Sequence, residues 1–529
     1  MAETTDIGRV LAVATVREPS ERSVLLAAIR ELGRDGVDFT VERLEALIRV
    51  EDHFHALLLY GQLDFLRQPF GATDTDRDFA LTVQRVCLES ANGFQRFLRN
   101  RSSWAHTPEA IRLMHQVTGL AMHAIHCSVK WGYFLDESSR GAPWKQMHAL
   151  YSLAEGDGFA DLRFILHASQ PQFEASVQSL YLRALLLGLL NTGSLTRAQI
   201  EIADGWLAQW ALDYSLTREE PAGEPIVCLD LASDAGLRLA ERCASTEGAR
   251  YLKAEAMRAQ IAHTQAELRH GRLLPTVGAG GAFAIEEHVA LLATVEKLHE
   301  SIMAGGEARV DRRTALESRE VDVAIGFERA MRKAREAPAP EEASHPAGQM
   351  EMIDVSEQGL SVLAADPSIM QAAAAAIRAD PDVERWRVHD LSSRGFGLLV
   401  DRAASETVAL NALISLRNQE TGRWIVGSVV RKQPGRGRGE VLVGIEVIAY
   451  RSIAVDLERS QGGSVPGLFL PGNDAGGRRD SVLLALADYR GGSAFTIRMG
   501  TASYAVVLNR IVHRGTDWVN ARFEIAAKV

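Results

Sequence analysis

Near residue 305 the hydrophobic period of the chain changes, and that change limits the fold to a helical half followed by a β half. Upstream, apolar residues recur at helical spacing. In "SERSVLLAAIRELGRDG", Ser20 is a candidate cap, Leu25, Leu26, Ile29 and Leu32 form one stripe, and glycines stop the run. Comparable stretches follow, among them "TVERLEALIRVEDHFHALLLYGQLDFLRQ", "PEAIRLMHQVTGLAMHAIHCSVKWGYFL" and "TRAQIEIADGWLAQWALDY", with a second helical group from "SDAGLRLAERCAS" to "AEAMRAQIAHTQAELRHG". They share no fixed period, which excludes a regular repeat array. Downstream, "REVDVAIGF", "WRVHDLSS", "TVALNALISLR", "GRWIVGSVVRK" and "EVLVGIEVIAY" are short alternating or β-branched runs punctuated by Gly, Pro and Asn.

The expected fold is multidomain α + β, with an irregular all-α half followed by a small antiparallel β-barrel and a further β unit. The boundaries read as a helical domain or two subdomains over 1–283, a connecting helix over 284–304, the barrel over 305–460 and the last unit over 461–529. Within the barrel region, "REAPAPEEASHPAGQ" reads as a loop and "PSIMQAAAAAIRAD" as a short helix, together an insertion at about 335–384.

Composition narrows the function classes. A chain of 529 residues with 47% hydrophobic residues can fill several cores, and a net charge of -10 argues against nucleic acid as a partner. Cys87, Cys127, Cys228 and Cys243 lack any C-x-x-C pairing, so reduced buried thiols are expected. The most apolar stretch, "ALLLGLL", is far shorter than a bilayer span, and the N-terminus has no signal-peptide pattern. A cytoplasmic location without membrane insertion follows.

Among fifteen histidines, His123 and His126 lie three apart beside Cys127, with His115 two turns earlier, while His53 and His55 fall on different helix faces. No H-E-x-x-H accompanies them, so core or surface histidines are expected, with no metal and no catalytic residue. Gly278, Gly280 and Gly281 read as a hinge, and "PGRGRGE" as a hairpin turn.

The stretch "WRVHDLSSRGFGLLV" holds Asp390, Ser392 and Gly395 in the spacing D-x-S-x-x-G. Arg309 and Arg313 form R-x-x-x-R before the strand containing Val321, Val323 and Gly326, and "GIEV" follows later. In this order the region 305–460 resembles the PilZ domain, a bacterial receptor module for cyclic di-GMP. The resemblance implies a non-enzymatic signalling receptor with no cofactor, whose ligand is cyclic di-GMP. Arg309 and Arg313, with Arg312 as a further cation, would hold its phosphates or stack on guanine. Asp390 and Ser392 would accept from the guanine N–H donors, and Gly395 would let the chain turn without obstructing the base. An unknown protein partner would bind the helical half.

Departures from the family pattern are present. The position four before Arg319 is Ala315, Asp390 lies 77 positions after Arg313 (390 − 313), and "MIDVSEQGLSV" places Asp354, Ser356 and Gly359 in the same D-x-S-x-x-G spacing. The alternative reading is a helical interaction scaffold whose degenerate barrel binds no nucleotide, with Asp390 and Ser392 merely building a turn.

Overall fold

Capping explains where several helices begin. Thr40 accepts from the Arg43 amide and Thr107 from the Ala110 amide, while Ser176 and Thr196 each form a reciprocal capping box. The computed structural model describes residues 7–36, 38–67, 74–135, 143–190, 192–220, 226–239, 247–253, 255–276, 278–303, 314–337, 380–392, 395–418, 422–435, 439–459, 462–472, 480–499 and 502–528. The chain divides into two units, Met1–Ala308 and Arg309–Val529.

In the first unit the helices are α1 (Ile7–Leu11), α2 (Pro19–Gly33), α3 (Val41–Gly61), α4 (Leu63–Arg67), α5 (Asp74–Arg99), α6 (Pro108–Phe134), α7 (Trp144–Gly156), α8 (Val177–Leu189), α9 (Arg197–Trp210), α10 (Glu255–Arg269) and α11 (Ile285–Met303). A two-stranded pair, β1 (Phe164–Ile165) and β2 (Glu174–Ala175), precedes α8. Strands β3 (Ile226–Asp230), β4 (Arg238–Leu239) and β5 (Ala249–Lys253) form a small sheet in the order β4-β3-β5. The stretch "SDAGLRLAERCAS", expected to be helical, thus contributes a strand, because Leu239 pairs with Val227 and tertiary pairing overrides local propensity.

One continuous core runs through this unit. Its centre is α6, whose residues from Val117 to Trp131 are buried almost without interruption. Helices α2 and α5 touch backbone to backbone: a Cβ at Gly33 would lie 2.7 Å from Gly93 Cα. Cys87 and Cys127 are free and buried as expected, whereas Cys228 is disulfide-bonded, which corrects the expectation of reduced thiols for that residue. Among the described residues no helix is long and apolar enough to cross a membrane.

The second unit contains two closed six-stranded antiparallel barrels. The first is built from β6 (Thr314–Ile325), β7 (Glu384–Ser392), β8 (Gly395–Asp401), β9 (Leu413–Arg417), β10 (Trp424–Pro434) and β11 (Glu440–Ala449), in the order β10-β11-β8-β7-β6-β9. The second uses β12 (Ile453–Arg459), β13 (Ser464–Leu470), β14 (Ser481–Ala485), β15 (Ala494–Met499), β16 (Ala502–Arg514) and β17 (Trp518–Lys528), in the order β12-β13-β14-β17-β16-β15. The α + β architecture is as expected, and the further β unit is itself a barrel; closure leaves neither sheet a free edge. The "PGRGRGE" segment joins β10 to β11 as a hairpin, with Pro434 paired to Val441.

Alternation along the strands fills each barrel. Val321, Val323, Leu398, Ile414, Val429 and Val443 are buried in the first, and Leu457, Val482, Ile497, Leu508 and Val519 in the second. Helix α12 (Phe327–Glu336), which apolar spacing does not single out, lies between the barrels. Its Phe327, Ala330 and Met331 share a core with Leu413 and Val426 of the first barrel and Leu468, Leu483 and Trp518 of the second. The carboxylate of Asp517 accepts from the Phe327 amide at 3.3 Å, an anion at the positive end of α12. At the other end Arg335 meets Asp456 at 2.6 Å.

Candidate functional site

Among the described residues two places concentrate polar chemistry, one in each unit. In the first barrel, β7 ends at Ser392 and β8 begins at Gly395, which pair with each other across a tight turn. The Ser392 hydroxyl donates to the Gly395 carbonyl at 3.4 Å. Asp390, only 8% exposed, lies beside His389, whose Nδ1 is 3.0 Å from Asp390 Oδ2. The opposite residue is Gly397, where a Cβ would meet Asp390 Oδ1 at 2.6 Å, so the carboxylate occupies the space the glycine leaves.

Gly395 is required here by the packing of neighbouring strands. A Cβ on it would stand 1.9 Å from the Ile445 carbonyl oxygen of β11, so the constraint is close approach of two strands. Gly395→Ala is expected to cost roughly 1–3 kcal/mol through forced strand displacement, read as a lower urea midpoint.

Strand β6 runs beside this lip, with Thr314 paired to Leu391 and Ala315 to Asp390. Three residues, Leu316 to Ser318, then bulge before Arg319 pairs with Val388. Arg309, Arg312 and Arg313 lie outside the described residues, as do Asp354, Ser356 and Gly359; Arg313 immediately precedes Thr314 in the sequence. Of the expected site residues, the barrel therefore brings Asp390, Ser392 and Gly395 to one turn.

The second place is buried in the helical unit and was not anticipated. Asp204 on α9 accepts two hydrogen bonds from Arg183 on α8, at 2.6 and 2.7 Å, and one from Lys130 on α6 at 2.7 Å. His126 Nε2 lies 2.7 Å from the same carboxylate. Glu201, one turn before Asp204, accepts from Lys130 at 2.9 Å and from the Ala279 amide at 2.9 Å. Gly278, with φ +85°, packs so that a Cβ would lie 2.6 Å from Glu201 Oε1. The glycine run expected to be a hinge therefore docks on a buried carboxylate, because the backbone must come close enough to donate to it.

Burial alone would raise Asp204, but Arg183, Lys130 and His126 outweigh it and hold its carboxyl well below the usual range. Burial would likewise lower Lys130 and Arg183, yet Asp204 and Glu201 keep Lys130 raised and Asp204 keeps Arg183 raised. Asp204, Lys130 and Arg183 thus hold one another in their charged forms.

A second group adjoins it. Glu51 and His55, four apart on α3, meet His123 of α6 and His167 of the segment between β1 and β2. Their rings pack closely, with His55 centroids 4.6 Å from His123 and 4.2 Å from His167. Burial pushes His167 down to about 4 and holds His55 and His123 well below their ordinary value. Burial, then Cys127 and Asp52, raises Glu51 well above the carboxylate range. The three histidines, together with Lys130, Arg183 and Glu201, line a cavity of about 70 Å³.

Pairwise sequence spacing identified His123, His126 and Cys127 but not their partners. The histidines serve different neighbours. His126 faces Asp204, whereas His123 lies 3.6 Å from Cys127 Sγ and 3.4 Å from His167. His115 stacks on Phe159, and His53 contacts the Val13 carbonyl. A usable signal was present in "YLRALLLGLL", where Arg183 is the one charge in an apolar helix, a placement that demands a buried partner.

No curated protein and no solved structure matches the chain. Residues 18–222, the stretch that carries the buried charge network and the histidine group, match the family model described as the N-terminal domain of the cyclic-di-GMP receptor FimW.

Proposed function

We propose that the chain is a non-catalytic cytoplasmic receptor for cyclic di-GMP, with the first barrel, read as PilZ-like, taking the nucleotide and the helical half relaying the bound state to a protein partner. The observation that carries this reading is the pairing of Thr314 with Leu391 and of Ala315 with Asp390. That register starts β6, immediately after Arg309, Arg312 and Arg313 in the sequence, beside the turn holding Asp390, Ser392 and Gly395. Arginine forks suit the ligand's phosphodiesters and guanine edges, and the turn's acceptors suit guanine N–H donors. The match of residues 18–222 to a receptor family for this nucleotide supports the ligand class. Relay requires two arrangements that differ in nucleotide affinity.

Calorimetry on the full chain tests the reading. Micromolar or tighter binding is expected, and replacing Arg309 and Arg313 together by Ala should weaken it at least tenfold while circular dichroism stays unchanged. Folded protein that gives no heat at high micromolar nucleotide rejects the receptor reading, and unchanged affinity in the double variant rejects this site. One observation favours the scaffold alternative: Asp390 is 8% exposed and packed over Gly397, a placement that suits a turn-building residue.

A further inference from the structure

We propose that Glu51, His55, His123 and His167 form a binding site for one divalent transition-metal ion, with zinc the ion their donor set suits best. The inference stands apart from the nucleotide reading, since none of these residues belongs to the barrel.

Geometry comes first. One nitrogen from each histidine and one Glu51 oxygen all lie within 4.8 Å of one another. Close pairs are His167 Nδ1 with Glu51 Oε2 at 3.5 Å and His55 Nε2 with Glu51 Oε1 at 3.9 Å, while the other His167 nitrogen, Nε2, lies 3.4 Å from His123 Nδ1. A tetrahedral zinc site with bonds of about 2.0–2.1 Å has donor atoms about 3.4 Å apart. The two Glu51–histidine separations are too long for good hydrogen bonds and near the spacing of ligands that share an ion.

Unmet polar demand is the second observation. Glu51 Oε2 and His167 Nδ1 are both buried without a hydrogen-bond partner, in side chains 3% and 7% exposed. Buried acceptors of this kind are costly when left alone, and a cation between them satisfies both.

The charge balance agrees. Lys130 and Arg183, the buried cations nearby, are engaged by Asp204 and Glu201, so neither serves Glu51. Three imidazoles and one carboxylate, with Cys127 Sγ 3.7 Å from His55 and 3.6 Å from His123, favour a borderline ion over magnesium or calcium.

Supporting contacts fix the ligands. The segment carrying His167 is tied to α3 because the Ser169 amide and hydroxyl both donate to Asp52, at 3.2 and 2.8 Å. Asp52 lies 3.6 Å from the same His167 Nδ1, which places a further carboxylate beside the site. The cavity of about 70 Å³ beside the histidines has room for an ion and water.

The test uses the full chain, stripped with a chelator and titrated with zinc chloride by calorimetry, with metal content measured after desalting. One retained equivalent and a raised melting temperature are expected. Glu51→Gln and His167→Ala should each weaken binding at least about tenfold, the order seen when partners of a metal site are removed. Cobalt loading of the wild type provides a readout that does not depend on the variants folding, since the intense visible bands of a tetrahedral nitrogen–oxygen site are expected. Folded wild-type protein that retains no zinc, variants that retain it with unchanged affinity, or a cobalt spectrum like that of the aqueous ion would each overturn the proposal.

Discussion

Asp204→Ala is expected to unfold the helical unit or leave it barely stable at room temperature. The substitution strands Arg183 and His126, both buried, and leaves Lys130 with Glu201 alone. Removing one partner of a buried ion pair costs about 3–5 kcal/mol, because the remaining charge is neither solvated nor paired. Set against a total stability of about 5–15 kcal/mol, that is a large share of what a domain has. Urea denaturation followed by helical circular dichroism measures it, and a midpoint within error of wild type would contradict the account. Replacing Asp204, Glu201, Lys130 and Arg183 together by apolar residues of similar size should recover much of the loss, since neither carboxylate nor cation of the network is then left behind.

The same network predicts the acid response. Asp204 has a folded value well below its ordinary 3.8, so its contribution is fully present above 3.8 and is lost as pH falls through the lower folded value. Wild-type stability should therefore decline below about pH 4 through this group, and the Asp204→Ala variant should lack that component.

Trp518→Ala is the second large expected effect. Its indole is 1% exposed, packs in the core shared by α12 and both barrels, and donates to the Asn411 carbonyl at 3.0 Å. Truncating a buried tryptophan to alanine costs about 3–5 kcal/mol, and the Asn411 carbonyl also loses this donor. Each barrel keeps its own interior, since Leu457, Val482 and Val519 in one and Val323, Leu398 and Val443 in the other do not depend on Trp518. Unfolding of the second unit should therefore shift to lower denaturant and broaden as the barrels separate. A single unshifted transition would show that the shared core contributes little.

Much of the architecture was legible in the chain because periodicity is a local property. Apolar spacing around Leu25 and Ile29 marks a helix, and alternation through "GRWIVGSVVRK" marks a strand, whatever they later pack against. Caps are equally local, since a cap bonds within three residues, yet the expected cap Ser20 lies inside α2, which begins at Pro19.

Sites were legible only where their parts lie close in sequence. Asp390, Ser392 and Gly395 were found as a motif because one hairpin carries them, yet the need for Gly395 comes from Ile445, fifty positions away (445 − 395). The strand near Arg238 was missed because only its pairing with β3 makes it extended.

Sequence alone determined the order of a helical half and a β half, the antiparallel character of the latter, and the turn at Asp390. Tertiary structure decided that the β half closes into two barrels joined through α12, that the turn lies beside the strand following Arg313, and that Glu51, His55, His123 and His167 meet. Register and helix packing join residues more than a hundred positions apart, such as Glu51 and His167, and no local pattern of residue types encodes which buried polar groups will find one another.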